Sequence, residues 1–583
     1  MHRFFPKGPA PATSRRPCSL AAAIAYALPA LILTAGANAA ETAPDAGTIL
    51  RQLQRDLPTL QAPAQPTVPL APSAPAPILK QGQTVKVTAF RIIATLFPEA
   101  TLKDVVKGYI GRDCTLGDLN EAAAKIAQFY RDHDYFAHAY LPPQKIENGL
   151  VTIEVLEGKL GKVVIDPASA ARLSHDKASA YITAQQGEGE FLRPHQVEEG
   201  LANLAAVPGV AASTTLAPGA APAQTDVIVK LDEGPLVSGT SLVDNGNSRA
   251  TGSWRWVGEA ALNDALGAGD QVAVTSLRSL GSKYVMVAAD APVGYSGLRL
   301  GADASGLAFR TDKRFNATQP SGSAVTYGLK ALRPVWRDQD SVVQATVLLD
   351  HKRLTNETAG VAISDNAIDV ATFKVAGSTR EPWLDGITQF AAAVEYGTLD
   401  LSANPQNQAQ DQASARTQGR FGKFDFDLTQ TEQLTRNTEA AAILSGQLAN
   451  KNLDSSEQFS LGGQSGVRAY PTGEARGDDG WLASLEYRYR PQAELQLAGF
   501  WDVGQIVQHA IPWAGWRGGS DQSNIYVLDG IGAWAEWHPV DWVFARVTVA
   551  HRLGINPGRS PAGYDSDGYH EHTRVWMQAG LTF

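Results

Sequence analysis

The chain has 583 residues, with 50 Lys+Arg against 59 Asp+Glu, a formal net charge of −9 and 44% hydrophobic residues. That length exceeds what a single compact core holds, and the acidic balance excludes a general nucleic-acid binder, which needs a basic face. Only one apolar run is long enough to concern a membrane helix and it lies at the N-terminus, so a multi-helix membrane protein is excluded, whereas a barrel whose apolar residues alternate with polar ones is not.

Residues 1–39 read as a secretory signal peptide. Arg3, Lys7, Arg15 and Arg16 supply the positive region, residues 20–34 (LAAAIAYALPALILT) the apolar stretch, and Ala37-Asn38-Ala39 the small-x-small site, so cleavage is expected after Ala39. The mature chain then keeps one cysteine, Cys114, which reads as a buried structural thiol.

Residues 40–60 hold a short amphipathic helix, with Ile49, Leu53, Leu57 and Leu60 at helical spacing and Arg51, Gln52, Gln54, Arg55 and Asp56 on the other face. Pro58 should end it. Residues 61–79 are a Pro/Ala linker, extended and without a core.

Residues 80–158 read as β-α-α-β-β. Val85, Val87 and the run 91–96 suggest strand, and residues 101–110 a helix. Thr115 with Asp118 resembles a capping box that opens a second helix, with Leu116, Leu119, Ala123, Ile126 and Tyr130 on one face. Tyr140-Leu141 and residues 150–156 are strands, with Glu147-Asn148-Gly149 as a turn between them. Residues 159–235 repeat the order: strand at 162–165, helices at 177–183 and 194–206, a turn at Pro208-Gly209, and strands at 210–216 and 225–231. Two units of one order and about 75 residues each suggest a tandem repeat.

From 236 to 583 predicted helices disappear. In residues 481–490 the odd positions are Trp481, Ala483, Leu485, Tyr487 and Tyr489, and the even ones Leu482, Ser484, Glu486, Arg488 and Arg490. One apolar and one charged face at a period of two is the mark of a strand between lipid and a wet lumen. Residues 253–261, 271–277, 284–288, 493–499 and 542–549 alternate less strictly, and the chain ends with apolar residues at 575, 577, 579, 581 and 583. Sixteen antiparallel strands would leave about 22 residues for each strand and loop, a reasonable spacing for a transmembrane β-barrel.

Enzyme motifs find no support. Gly463-Gln464-Ser465-Gly466-Val467 lacks the last glycine of a nucleophile elbow, and His570-Glu571-His572 has the wrong spacing for a zinc helix. Gly267-Ala268-Gly269 lacks the third glycine of a dinucleotide loop. No catalytic residue, cofactor or metal is expected.

Residues 456–489 stand out: SEQFSLGG, then Val467-Arg468-Ala469-Tyr470, then Gly477-Asp478-Asp479-Gly480-Trp481. The order of signal, helix, Pro-rich linker, two small α+β units and barrel resembles the outer-membrane transporters of two-partner (type V) secretion. These are the haemolysin secretion/activation proteins, a branch of the POTRA-plus-barrel superfamily that also includes barrel-assembly insertases. Asp244-Asn245 and Leu266-Gly267-Ala268-Gly269-Asp270 look like the family's first barrel hairpin, and Tyr140-Leu141-Pro142-Pro143-Gln144 like a strand of its first POTRA unit. The resemblance implies an all-β barrel of 16 strands (236–583) after two POTRA domains (80–158 and 159–235). It also implies that Val467, Arg468, Ala469 and Tyr470 are the tip of the sixth extracellular loop, with Ala469 where the family has Gly. Phe500-Trp501-Asp502-Val503-Gly504 then matches an inner-wall motif close to that tip, carried by Phe500, Asp502 and Gly504.

Arg presents a rigid fork of donors suited to latching a loop onto a wall carboxylate such as Asp502. If the missing glycine needs a positive φ, Ala469 brings strain of order 1 kcal/mol. The implied partners are a secreted exoprotein, such as a haemolysin or filamentous adhesin, that adds a strand to the POTRA sheets, outer-membrane lipid, and the barrel-assembly machinery for insertion. No nucleic acid is implied. The helix in 40–60 either plugs the barrel, as the resemblance implies, or stays periplasmic. The rival reading of the whole is an insertase, and after it a passive channel.

Overall fold

The computed structural model describes residues 44–56, 84–338, 340–381, 386–517, 522–560 and 562–583. The leader 1–39, the linker 61–79, and Leu57, Pro58 and Leu60 lie outside the described residues. The first described element is helix α1, Ala46–Asp56.

The first small unit runs β1 (Thr84–Lys86), β2 (Ala89–Ile93), α2 (Glu99–Val106), β3 (Asp113–Thr115), α3 (Leu116–Asp132), β4 (Ala137–Tyr140) and β5 (Leu150–Glu157). Its sheet order is β2-β5-β4, with β2 parallel and β4 antiparallel to β5. α3 starts where the capping box closes: Thr115 Oγ1 accepts from the Asp118 amide at 3.2 Å and Asp118 Oδ2 accepts from the Thr115 amide at 2.7 Å. Its Leu119, Ala123, Ile126 and Tyr130 pack with Phe90, Ile92, Val151 and Ile153. Cys114 is buried in this core, and burial pushes its thiol pKa up. The turn before β5 uses Asn148 at φ 54° and Gly149 at φ 74°, where a Cβ would come within 2.3 Å of the Lys86 carbonyl oxygen.

Strand β2 ends at Ile93, short of the expected 96, because the chain there turns onto Glu157. That carboxylate accepts from the Thr95 amide at 3.0 Å, the Leu96 amide at 2.7 Å and Tyr130 Oη at 2.7 Å. Burial pushes the pKa of Glu157 up, but these hydrogen bonds outweigh it and hold the group below its ordinary value.

The second unit repeats the topology: β6 (Lys159–Ile165), α4 (His175–Thr183), α5 (Pro194–Ala205), β7 (Val210–Pro218) and β8 (Gln224–Glu233), in sheet order β6-β8-β7. Main-chain bonds join the units, from Phe136 N to Leu192 O at 2.9 Å and from Leu192 N to Gly158 O at 2.8 Å.

The remaining strands are β9 (Val237–Asp244), β10 (Arg255–Asn263), β11 (Gln271–Ser279), β12 (Ser282–Pro292), β13 (Arg299–Arg310), β14 (Ser321–Arg337), β15 (Ser341–Thr358), β16 (Val361–Glu381) and β17 (Gly386–Asp400). Helix α6 (Pro405–Gln412) precedes β18 (Gly419–Thr435) and β19 (Thr438–Ala449). The short β20 (Phe459–Ser460) and β21 (Arg476–Gly477) follow, then β22 (Asp479–Gln492), β23 (Leu495–Val507), β24 (Ile525–Val540), β25 (Val543–Arg552) and β26 (Thr573–Thr582). All except β20 and β21 form one closed antiparallel barrel of 16 strands, sealed where β26 pairs with β9 from Gln578↔Asp244 to Thr582↔Thr240. In β22 Trp481, Leu485, Tyr487 and Tyr489 face outward, and Leu482, Ser484 and Glu486 are buried on the inner side, as the alternation requires.

The second unit rests on the barrel's short turns. Lys177 Nζ donates to Gly267 O at 2.8 Å, Gln185 Nε2 to Tyr295 O at 3.1 Å, and Arg337 Nη1 to Asn203 Oδ1 at 3.0 Å. The ends of the strands on this side therefore face the small units, and the longer loops lie at the opposite end.

Candidate functional site

The sixth connection at the end opposite the small units, the long loop of residues 450–478 between β19 and β22, folds back into the barrel. It is braced by the miniature ladder β20–β21, where Phe459 pairs with Gly477, and by a bridge between Gly462 and Val467. The Val467 amide donates to Leu461 O at 2.7 Å and the Tyr470 amide to Val467 O at 3.0 Å, so the segment turns tightly. Val467, Ala469 and Tyr470 are fully buried against Leu482, Phe500 and Leu528.

Arg468 reaches from this turn to the wall. Its Nε and Nη2 donate to Asp502 Oδ2 and Oδ1 at 2.9 and 2.6 Å, and its own amide adds a third bond to Oδ2 at 3.0 Å. Nη1 pairs with Glu486 Oε1 at 2.7 Å, and Ser484 Oγ bridges, accepting from Nη2 and donating to Asp502 Oδ1. The guanidinium lies 3.4 Å from the centroid of the Phe500 ring. Trp576 Nε1, on β26, donates to the Arg468 carbonyl at 2.8 Å. Asp502 is 0% exposed and the Arg468 side chain 11%, so the pair is largely removed from water. Gly504 faces the same loop: a Cβ there would sit 2.6 Å from Leu461 Cδ2.

Ala469 does not carry the strain that a left-handed position would bring. The left-handed residues of the loop are Gly463, Gly473 and Ala475, at φ 115°, 86° and 53°. The methyl of Ala469 is accommodated by the wall, because a Cβ on Gly530 of β24 would lie 2.5 Å from it.

The lumen also holds α1. Ala46, Ile49, Leu50 and Leu53 pack on inward residues of the wall, among them Leu307, Leu354, Ile368 and Phe421. The polar side of the helix is engaged too, apart from the exposed Gln54. Arg55 donates to Ser460 O at 2.6 Å and to Gly462 O at 2.9 Å, both in the sixth loop. Arg51 reaches Gln447 Oε1 at 3.2 Å, and Asp56 accepts from Arg255 Nη1 at 3.2 Å. Gly47 is held so close that a Cβ would meet Ser455 Oγ at 2.5 Å. The helix thus touches both the wall and the loop.

Sequence reasoning placed Arg468, Tyr470 and Asp502 and missed a second ionic centre, one of several buried in the barrel. Glu457, at the base of the loop, pairs with Lys352 at 2.7 Å and Lys423 at 3.0 Å, and Lys423 with Glu395 at 3.3 Å. Its partners lie 105 and 34 residues away, a separation that no local pattern reports. Glu474 likewise ties the loop to the last one, accepting from Asn556 Nδ2 at 2.9 Å and the Ser566 amide at 2.7 Å. Among the described residues, no three His, Cys, Asp or Glu are grouped as a metal site requires.

Comparison with known proteins adds identity to this geometry. The family described as Haemolysin secretion/activation protein ShlB/FhaC/HecB matches residues 223–517, and the POTRA domain, ShlB-type, matches residues 85–158. The Heme/hemopexin transporter protein HuxB of Haemophilus influenzae (strain 86-028NP) is 29% identical over 485 residues, covering 79% of this chain and 83% of that one. The Outer membrane transporter CdiB of Dickeya dadantii (strain 3937) is 22% identical over 482 residues, covering 79% and 85%. The solved structure of CdiB from Escherichia coli superposes with a TM-score of 0.69 at 16% identity, covering 89% of this chain and 94% of that one, a likeness of fold.

Proposed function

The chain belongs to the haemolysin secretion/activation protein family of outer-membrane transporters, and from that premise we propose how its parts divide the work. The protein is an outer-membrane transporter of two-partner secretion, with its POTRA units in the periplasm and a secreted exoprotein as its partner. In our reading residues 80–158 and 159–235 capture that client unfolded. Each three-stranded sheet leaves edge strands, β2 and β4 in the first and β6 and β7 in the second, to which an extended chain adds by main-chain hydrogen bonds. The barrel, residues 236–583, then conducts the client outward. Folding outside supplies the drive, and no enzymatic step is assigned.

The observation that carries this reading is the occupation of one lumen by two removable segments. α1 and the sixth loop fill it together: α1 is no part of the wall, the loop is joined to it only at the ends of β19 and β22, and ion pairs and hydrogen bonds hold the helix and the loop's tip in place. A conduit closed by such segments opens when they move. In this reading residues 40–60 plug the pore, Val467, Arg468, Ala469 and Tyr470 form the loop's latch, and Phe500, Asp502 and Gly504 form its receiver. An insertase is the second reading, and the helix seated in the lumen favours the transporter. The barrel reaches the membrane through the barrel-assembly machinery.

The test is a photo-crosslinker at His138, exposed on edge strand β4, in cells that produce the chain and its exoprotein. Crosslinks to the exoprotein, stronger than those from Lys107 on the helical side, support capture at the sheet edge. Equal or absent crosslinks from His138 contradict it.

A further inference from the structure

The outer wall of the barrel carries a cluster of cations with no acids among them. On β11 and β12, Arg278 and Lys283 are direct cross-strand partners. Both point outward and both are exposed. Lys283 stands opposite Ala308 on β13, and Arg310, two residues further along the same outward face, is exposed as well. Neighbouring strands lie about 4.8 Å apart, so the three charges share one small area.

Like charges placed directly opposite each other across a ladder are destabilising unless an anion lies between them. None is supplied by the protein. Among the described residues, the side chains of Arg278, Lys283 and Arg310 make no hydrogen bond and no ion pair. The outward residues of β9 to β13 include no Asp or Glu. The nearest acid in the row is Glu357, which faces Ser321, and Ser321 in turn faces Arg310, so it stands two strands away. Two outward basic residues elsewhere on the wall have an acid beside them, Arg353 with Asp365 at 2.9 Å and His351 with Asp369 at 2.7 Å, while Arg333 and Arg420, outward and without an ion pair among the described residues, stand singly and not as a cluster.

The height of the cluster identifies what meets it. The POTRA units occupy the other end, so the cations lie at the cell-surface end. Below them the outward residues are apolar: Val272 and Val274 on β11, Val285 and Val287 on β12. Beside Arg278 in the same row stands Trp256, outward and exposed, with Trp254 just above it. Tryptophan at the end of an apolar band marks the interface where lipid headgroups lie. The turn joining β11 and β12 is only residues 280–281, so no long loop of that hairpin covers the pair.

We propose that Arg278, Lys283 and Arg310 form a docking site for a phosphate-bearing lipid of the outer leaflet. The Arg forks take phosphate oxygens bidentately and the Lys adds a point charge, while the acyl chains lie on the valines below. The site rests on the outer-membrane placement of the barrel and is separate from the lumen, so its loss leaves export intact.

The experiment uses the full-length chain in zwitterionic micelles, with lipopolysaccharide, dephosphorylated lipopolysaccharide and inorganic phosphate as probes. Wild type should retain lipopolysaccharide at least tenfold more tightly than the variant R278Q/K283Q/R310Q and than it retains the dephosphorylated form. Inorganic phosphate in excess should not compete. Barrel folding is read in parallel from heat-dependent gel mobility, and if the triple variant does not fold, Arg278→Gln and Arg310→Gln singly should each weaken retention several-fold. Equal retention by folded variants, equal retention of the dephosphorylated lipid, or displacement by inorganic phosphate overturns the proposal. Export should be equal in wild type and variant, which separates this site from the transport function.

Discussion

The methyl of Ala469, at the tip of the sixth loop, is seated against the bare α-carbon of Gly530 in the barrel wall: a Cβ at 530 would lie 2.5 Å from Ala469 Cβ. The two residues are complementary in size. At the loop position where the resemblance implies a glycine, this chain has alanine, and the wall leaves the space it needs.

Gly530→Ala should therefore fail alone and recover in company. The single variant overpacks a buried contact, at a cost of about 1–3 kcal/mol borne by the loop's seat. Export should fall several-fold at equal barrel level, and the double variant Gly530→Ala with Ala469→Gly should restore it. Secretion of the exoprotein, measured across this two-by-two set, checks the pairing. Equal loss in the single and double variants would mean that 469 and 530 do not meet.

The seating of α1 makes a prediction about conductance. Arg55 donates to two loop carbonyls, at 2.6 and 2.9 Å, and charge-assisted bonds are worth about 1.5–3 kcal/mol each. Arg55→Ala should raise the open fraction of single channels in planar bilayers by about tenfold or more, and deletion of residues 40–56 should leave only the sixth loop to restrict the pore, with a conductance well above wild type. Unchanged conductance in both would show that the helix does not obstruct the pore.

The first POTRA unit should lose stability in acid at a place set by Glu157. Its folded-state pKa lies below the ordinary value because of its bonds to Thr95, Leu96 and Tyr130. A depressed carboxylate contributes stability that is present above its unfolded pKa and is lost as pH falls through the folded one. Tyr130, raised by burial and by its bond to Glu157, acts in the opposite sense, and its contribution is lost only in strong alkali. Hydrogen exchange of the Thr95 and Leu96 amides, corrected for intrinsic rate, should stay slow at neutral pH and accelerate below pH of about 4. Glu157→Gln should remove that acid limb. An unchanged acid profile in the variant would place the transition on another group.

How far this architecture could be read from the chain depends on what each face meets. β22 announced itself because Trp481, Leu485 and Tyr487 meet lipid while Ser484 and Glu486 meet a wet, charged lumen. Parts of strands β13 to β16 gave a weaker signal where the helix sits. Leu307, Leu354, Ile368 and Val370 point inward yet are apolar, in one buried cluster with α1. At these positions apolar residues stand on both faces and the period of two blurs, whereas Phe424-Asp425-Phe426-Asp427 in β18 keeps it. The helix itself was legible from its apolar spacing, but its seat was not, since a polar side fits a periplasmic helix as well as a lumenal one; Arg51 and Arg55 in fact bond to wall and loop. The Thr115–Asp118 cap and the two POTRA repeats were legible because their signals are local. The Glu457 centre was not, since its charges come together only once the barrel closes.

The arginine of the loop tip bears most directly on the whole account. Arg468 makes three bonds to a buried Asp502, and breaking a buried pair by removing one partner costs about 3–5 kcal/mol. The decisive measurement is the amount of exoprotein released by cells producing Arg468→Ala, normalised to heat-modifiable barrel in the outer membrane. Release should fall to a small fraction of wild type while the barrel remains folded. Wild-type release from that variant, at equal barrel level, would contradict the latch and with it the role given to the sixth loop.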